Sequence, residues 1–108
     1  MTANELRIGN FLYNDKVVVK IDARSIFDIW DDKGLKKYEP IPITEQWILK
    51  FGFEKDISIT TRNIYCNGGF AIIQTISGNN YFYEGIELKF VHLLQNLYFA
   101  ITQKELEL

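Results

Sequence analysis

KFVHLLQNLYFAITQKEL, residues 89–106, is the only segment of the chain with an apolar repeat of helical period longer than three turns, and from Phe90 to Gln103 it carries no formal charge. At about 100° per residue, Phe90, Leu94, Leu97 and Ile101 fall within about 60° of one another. Leu93 and Ala100 flank that stripe on one side, Val91 and Tyr98 on the other. A short two-layer protein buries such a face against a sheet, so the segment points to an α+β fold closed by a C-terminal amphipathic helix. The opposite face carries His92, Gln95, Asn96, Phe99 and Gln103. Amides, an imidazole and one ring lose less on desolvation than charges do, which suits contact with a protein partner or a second copy of the chain. The same absence of charge fits equally a helix sandwiched between two lobes with Phe99 in the core; a small-ligand site is the third reading, and all three stay open.

The strands that would receive this helix precede it. From Phe53 the period is two: Ile57 and Ile59 alternate with Ser58 and Thr60, and Thr61 extends that strand. Asn67-Gly68-Gly69 is a hairpin turn, because positive φ costs glycine little and asparagine less than most residues. Residues 70–76 return, residues 77–80 turn, Tyr81, Phe82 and Tyr83 form a short strand, Glu84-Gly85 turns again, and residues 86–90 complete a four-stranded antiparallel meander.

Upstream lies a short helix over residues 45–51. Thr44 is its cap, Glu45 suits the positive end of the helix dipole, and Ile43 and Ile48 have the spacing of a hydrophobic staple. Gly52 ends it in a left-handed turn, and Trp47 and Phe51 share one face. Before it, residues 5–13 read as a first strand, with Gly9 marking a bulge or a close backbone approach. Residues 14–16 turn, and residues 17–24 alternate as a half-buried strand. Residues 25–30 continue in extended form, and residues 31–34 turn. Residues 35–43 make an edge strand, because Pro40 and Pro42 lack amide donors. This N-terminal unit reads as a small curled antiparallel sheet, of which an SH3-like half-barrel is one form. The chain is one domain, residues 1–108, with sub-lobes at 1–43 and 53–108 joined by the linking helix at 44–52.

The composition is that of an ordinary globule, 47% hydrophobic and 24% charged, which argues against disorder. A net charge of −2 without a basic cluster argues against a phosphate-driven nucleic-acid binder. One cysteine, Cys66, allows no internal disulfide. The start MTANELRIG lacks the basic and apolar runs of a signal peptide, and no apolar run is long enough to span a bilayer. A reducing cytoplasm is the simplest compartment.

Catalytic chemistry finds little footing. Cys66 with His92 is a conceivable thiol–imidazole pair, but a strand cysteine and a helix histidine in structural roles are the commoner outcome. Asp28, Asp31 and Asp32 lack the glycine and distal glutamate of a calcium loop and read as a solvated turn. Gly68-Gly69 lacks the lysine and following helix of a nucleotide-phosphate loop. No catalytic residue, metal site or cofactor is assigned.

ELRIGNFL near the start, EPIPITEQWILKFGFEK in the middle and IELKFVHLLQNLYFAITQKELEL at the end resemble a family of small uncharacterised proteins from gut-type anaerobic bacteria and their prophages and mobile elements. The resemblance covers about half of the chain. It implies no activity and no catalytic residues, only a bacterial or phage cytoplasm and an accessory role. The family pattern has glycine where Gln103 stands here. The expectation is a non-enzymatic accessory protein acting through protein–protein contact or self-association, with no nucleic acid and no membrane among its partners. The alternative is a small-ligand protein that binds or sequesters a nucleotide signal, with Trp30, Tyr81 or Tyr83 stacking on a base.

Overall fold

The computed structural model describes residues 5–31 (Asp31 in its backbone only), 38–59, 61–75 and 80–108. The fold is α+β. An N-terminal three-stranded antiparallel sheet in the order β2-β1-β3 is followed by a short helix, a five-stranded antiparallel meander in the order β4-β5-β6-β7-β8, and the C-terminal helix.

In the N-terminal unit, β1 (Phe11–Asn14) and β2 (Val17–Lys20) form a hairpin in which Asn14 faces Val17. The two linking residues both take positive φ, Asp15 at 52° and Lys16 at 69°, as a two-residue turn matching strand twist requires. Residues 5–10, expected in the first strand, are not part of it. Asn10 N–H bonds to Arg7 C=O in a turn, and Gly9, at φ 96°, shares one opposing residue with Asn10. Gly9 N–H donates to Ile21 C=O, and Ile21 N–H donates to Asn10 C=O, both at 2.9 Å. That is a glycine bulge, the reason the expected strand breaks where it does.

The reading of residues 25–30 as extended is corrected. They belong to α1 (Ala23–Asp31), and the strand before it ends at Lys20 rather than Arg24. Asp22 caps the helix, its Oδ1 accepting from the Ser25 amide at 2.9 Å and the Ser25 hydroxyl at 3.0 Å. Ile26 and Ile29, three apart, pack on Leu6, Leu12 and Ile21 to make a small core of their own. β3 (Tyr38–Glu39) lies at the sheet edge as the nearby prolines demand, and is shorter than expected. Residues 32–37, with the turn expected there, lie outside the described residues, as do residues 76–79 of the turn before Tyr81.

α2 (Glu45–Lys50) has the expected ends. Trp47 N–H donates to Thr44 Oγ1 at 3.4 Å. Gly52, at φ 91°, lets its own N–H reach Leu49 C=O and the Phe53 N–H reach Ile48 C=O, a Schellman ending. Trp47 and Phe51 meet at 5.7 Å between ring centroids, with Phe11 against both.

The strand expected over residues 57–61 is also corrected at 57–59 and 61, Thr60 lying outside the described residues. β4 is Glu54–Lys55, and Asp56 Oδ1 then accepts from the Ser58 amide and hydroxyl, turning the chain and leaving Ile57 89% exposed. The pairing partner is β5 (Asn63–Asn67), joined to β6 (Phe70–Gln74) by the glycine turn. β7 (Tyr81–Tyr83) and β8 (Ile86–Glu87) complete the sheet. Its inner face, with Tyr65, Phe70, Ile72 and Tyr81, packs with Ile48, Phe53, Leu94 and Tyr98 in the main core.

α3 is Val91–Thr102. It has no side-chain cap, but the linking segment supplies one from its backbone: Val91 N–H donates to Ile41 C=O at 2.8 Å, and Ile43 N–H to Lys89 C=O at 3.0 Å. The buried residues are Val91, His92, Leu94, Gln95 and Tyr98, while Ile101 and Ala100 are exposed. The helix is therefore turned by roughly a quarter turn from the stripe that hydropathy alone selects.

Candidate functional site

That rotation decides where the polar face of α3 goes. His92 and Gln95 are 0 and 1% exposed, so the face expected to meet an outside partner is the seam between α3 and the N-terminal segment. Gln95 behaves there like a strand residue: its Oε1 accepts from Phe11 N–H at 2.8 Å and its Nε2 donates to Gly9 C=O at 3.1 Å. β3 pairs only with Tyr13 and Asn14, so the Gln95 amide covers the stretch of backbone that β3 leaves open. Asn96 donates to Glu5 C=O at 2.7 Å, and its Oδ1 accepts from Asn10 Nδ2 at 2.9 Å and Arg7 Nε at 3.1 Å.

Arg7 gathers the rest. Its guanidinium forms a forked pair with Glu105 at 2.6 and 3.2 Å and lies 4.3 Å from the ring centroid of Phe99. Phe99 is thus half-buried under a cation, and Gln103 is exposed at the helix end in a left-handed conformation. His92 stacks on Phe90 and sets Nε2 3.2 Å from Glu5 Oε1. Burial pushes its imidazole below the ordinary value, and the Glu5 hydrogen bond and charge oppose that only in part. Neutral His92 donates from Nε2 to the carboxylate, and Nδ1 has no partner among the described residues.

The three rings expected to stack on a ligand separate. Tyr81 is buried against Tyr65, and the half-buried Tyr83 stacks one face on Phe70 at 4.0 Å. Trp30 is 69% exposed and lies 6.2 Å from Phe27, itself 58% exposed. The signal for Phe27 as a surface residue is its spacing of three from Trp30, visible once residues 23–31 are read as a helix.

Elsewhere the chemistry stays apart. Cys66 lines a shallow polar depression with Gly52, Glu54, Asp56 and Asn67, and His92 is not among its lining residues. The Tyr65 hydroxyl donates to the Glu45 carboxylate; burial first, and then Glu45, raise its pKa well above the usual phenol range. Among the described residues no three His, Cys, Asp or Glu side chains are grouped to hold a metal ion, and no helix is long and apolar enough to cross a membrane. Asp28 and Asp31 sit on α1, and Asp32 lies outside the described residues. Comparison with family models, with curated proteins and with solved structures gives no match for this chain.

Proposed function

We propose that the chain is a non-enzymatic accessory protein that works through protein–protein contact, and that the contact is made by the outer face of α1 rather than by α3. The observation that carries this reading is the exposed pair Phe27 and Trp30. α1 already packs the partly buried Ile26 and Ile29 against the small N-terminal core, whereas Phe27 and Trp30 on its other side stay exposed. Tryptophan and phenylalanine are enriched at interface centres, where a few aromatic anchors supply most of the binding energy. Val17 and Val18, on the edge strand β2 of the same unit, are exposed as well. The bacterial or phage setting rests on the sequence resemblance alone. A nucleotide-signal site has weaker support, since Trp30 is the one ring of the three that faces solvent.

The test is the double substitution Phe27→Gln with Trp30→Gln. It should leave the thermal midpoint within a few degrees, because surface changes cost at most about 0.5 kcal/mol. It should also abolish either concentration-dependent self-association in sedimentation velocity or the capture of a protein that the unaltered chain retains from bacterial extract. A chain that stays monomeric throughout and retains nothing the variant loses overturns the reading.

A further inference from the structure

We propose that His92 is a pH-sensitive latch: neutral, it holds the N-terminal segment against α3, and protonated, it releases that segment while the meander stays folded. The geometry is specific to this one side chain. His92 is completely buried in the first turn of α3, its ring runs parallel to that of Phe90 with centroids 5.9 Å apart, and Nδ1 is the one buried side-chain polar atom without a partner among the described residues. A proton can arrive only at that nitrogen, because Nε2 already carries the hydrogen donated to Glu5. The new N–H would then stand buried with nothing among the described residues to accept it, which costs the full desolvation of the donor.

The charges around the ring do little to offset this. From the N-terminal segment Glu5 faces Nε2, but its carboxylate is partly in water. Arg7, on the same segment, is committed to Glu105 of the C-terminal tail, and the positive chain terminus disfavours the imidazolium further. On α3 itself Gln95 and Asn96 are neutral, and Lys89 before it is exposed. What His92 shares with the N-terminal segment is a seam of side-chain amides bonded to Gly9, Asn10, Phe11 and Glu5, so opening at the ring strains bonds that belong to that segment alone.

The direction follows from burial. The unfolded or released chain takes up the proton near the ordinary value of 6.5, and the latched chain only below it. The latch is therefore at full strength above pH 6.5 and weakens as the pH falls beneath that value.

The chain has a single histidine, so one imidazole resonance reports the event without ambiguity. Titrated by NMR between about pH 8 and about pH 5, it should show a midpoint below that of a free imidazole, with the nitrogen shifts of the Nε2–H tautomer above it. Over the same range the amide of Phe11 should lose protection from hydrogen exchange while the amides of β5 and β6 keep theirs. His92→Gln should remove the pH dependence of the Phe11 protection. An imidazole midpoint at or above the free value, loss of protection spread evenly over the meander, or the same pH dependence in His92→Gln would each overturn the proposal. If that variant does not fold, the tautomer and exchange measurements on the unaltered chain decide by themselves.

Discussion

Gln103 closes α3 in a left-handed conformation, φ 62° and ψ 22°, with its N–H on Phe99 C=O at 2.8 Å. An L side chain with a Cβ costs about 1 kcal/mol in that region, and glycine removes the clash at some loss of unfolded-state entropy. Gln103→Gly should therefore raise the unfolding free energy by about 0.5–1 kcal/mol in a urea titration, with an unchanged slope. An unchanged or lower midpoint would mean that the exposed side chain contributes through its bond to Ala100 C=O. Residue by residue, the ends of α2 were the most legible part of the sequence. Thr44, Gly52 and the ill-fitting residue at Gln103 act through bonds to backbone within a few positions, so their roles need no knowledge of the fold. Arg7 shows the opposite limit: its partners Asn96, Phe99 and Glu105 lie some ninety positions away, and nothing local marks it.

At the scale of elements, α1 is where local pattern misleads. Of its apolar residues at 26, 27, 29 and 30, Phe27 and Ile29 alternate about Asp28 as a strand does, but all four together fit a helical spacing, and the pair Asp22 and Ser25 three positions apart adds the cap. The Asp22 carboxyl is held below its ordinary 3.8 by the Ser25 amide and then by the Ser25 hydroxyl. Its contribution to α1 is therefore complete above pH 3.8 and is lost as the pH falls through the lower folded value. Asp22→Asn keeps an accepting oxygen and removes the titration. Helical circular dichroism should fray less on acidification below that value in the variant than in the unaltered chain, and identical acid profiles would remove Asp22 from the account. The strand at 57–61 fails for a related reason. Asp56 and Ser58 form a side-chain turn that competes with the ladder, and two exposed isoleucines do not outweigh it.

Over the whole molecule, the two cores among the described residues meet through the Phe11 contacts with Trp47 and Phe51 and through the polar seam under α3, of which Gln95 is the central bond. Gln95→Leu preserves volume while leaving Phe11 N–H and Gly9 C=O without partners, so it should destabilise the chain by about 2–4 kcal/mol despite being the more hydrophobic residue. Chemical denaturation measures it; a neutral or stabilising effect would show that the two backbone groups find water instead. The sequence by itself determined the α+β class, the order of linking helix, meander and closing helix, and the hairpin turns, because each depends on period and backbone preference within a few residues. It also exposed the polar face of α3 as the unusual one. Only the tertiary structure decided what that face meets. Hydropathy assigns amides to water, whereas here the bulged backbone at Gly9 and Phe11, uncovered by the short β3, offers Gln95 two hydrogen bonds in place of water's. A glutamine that pairs with a strand is worth burying, and no count of residues along one segment can show that the strand's open edge lies opposite.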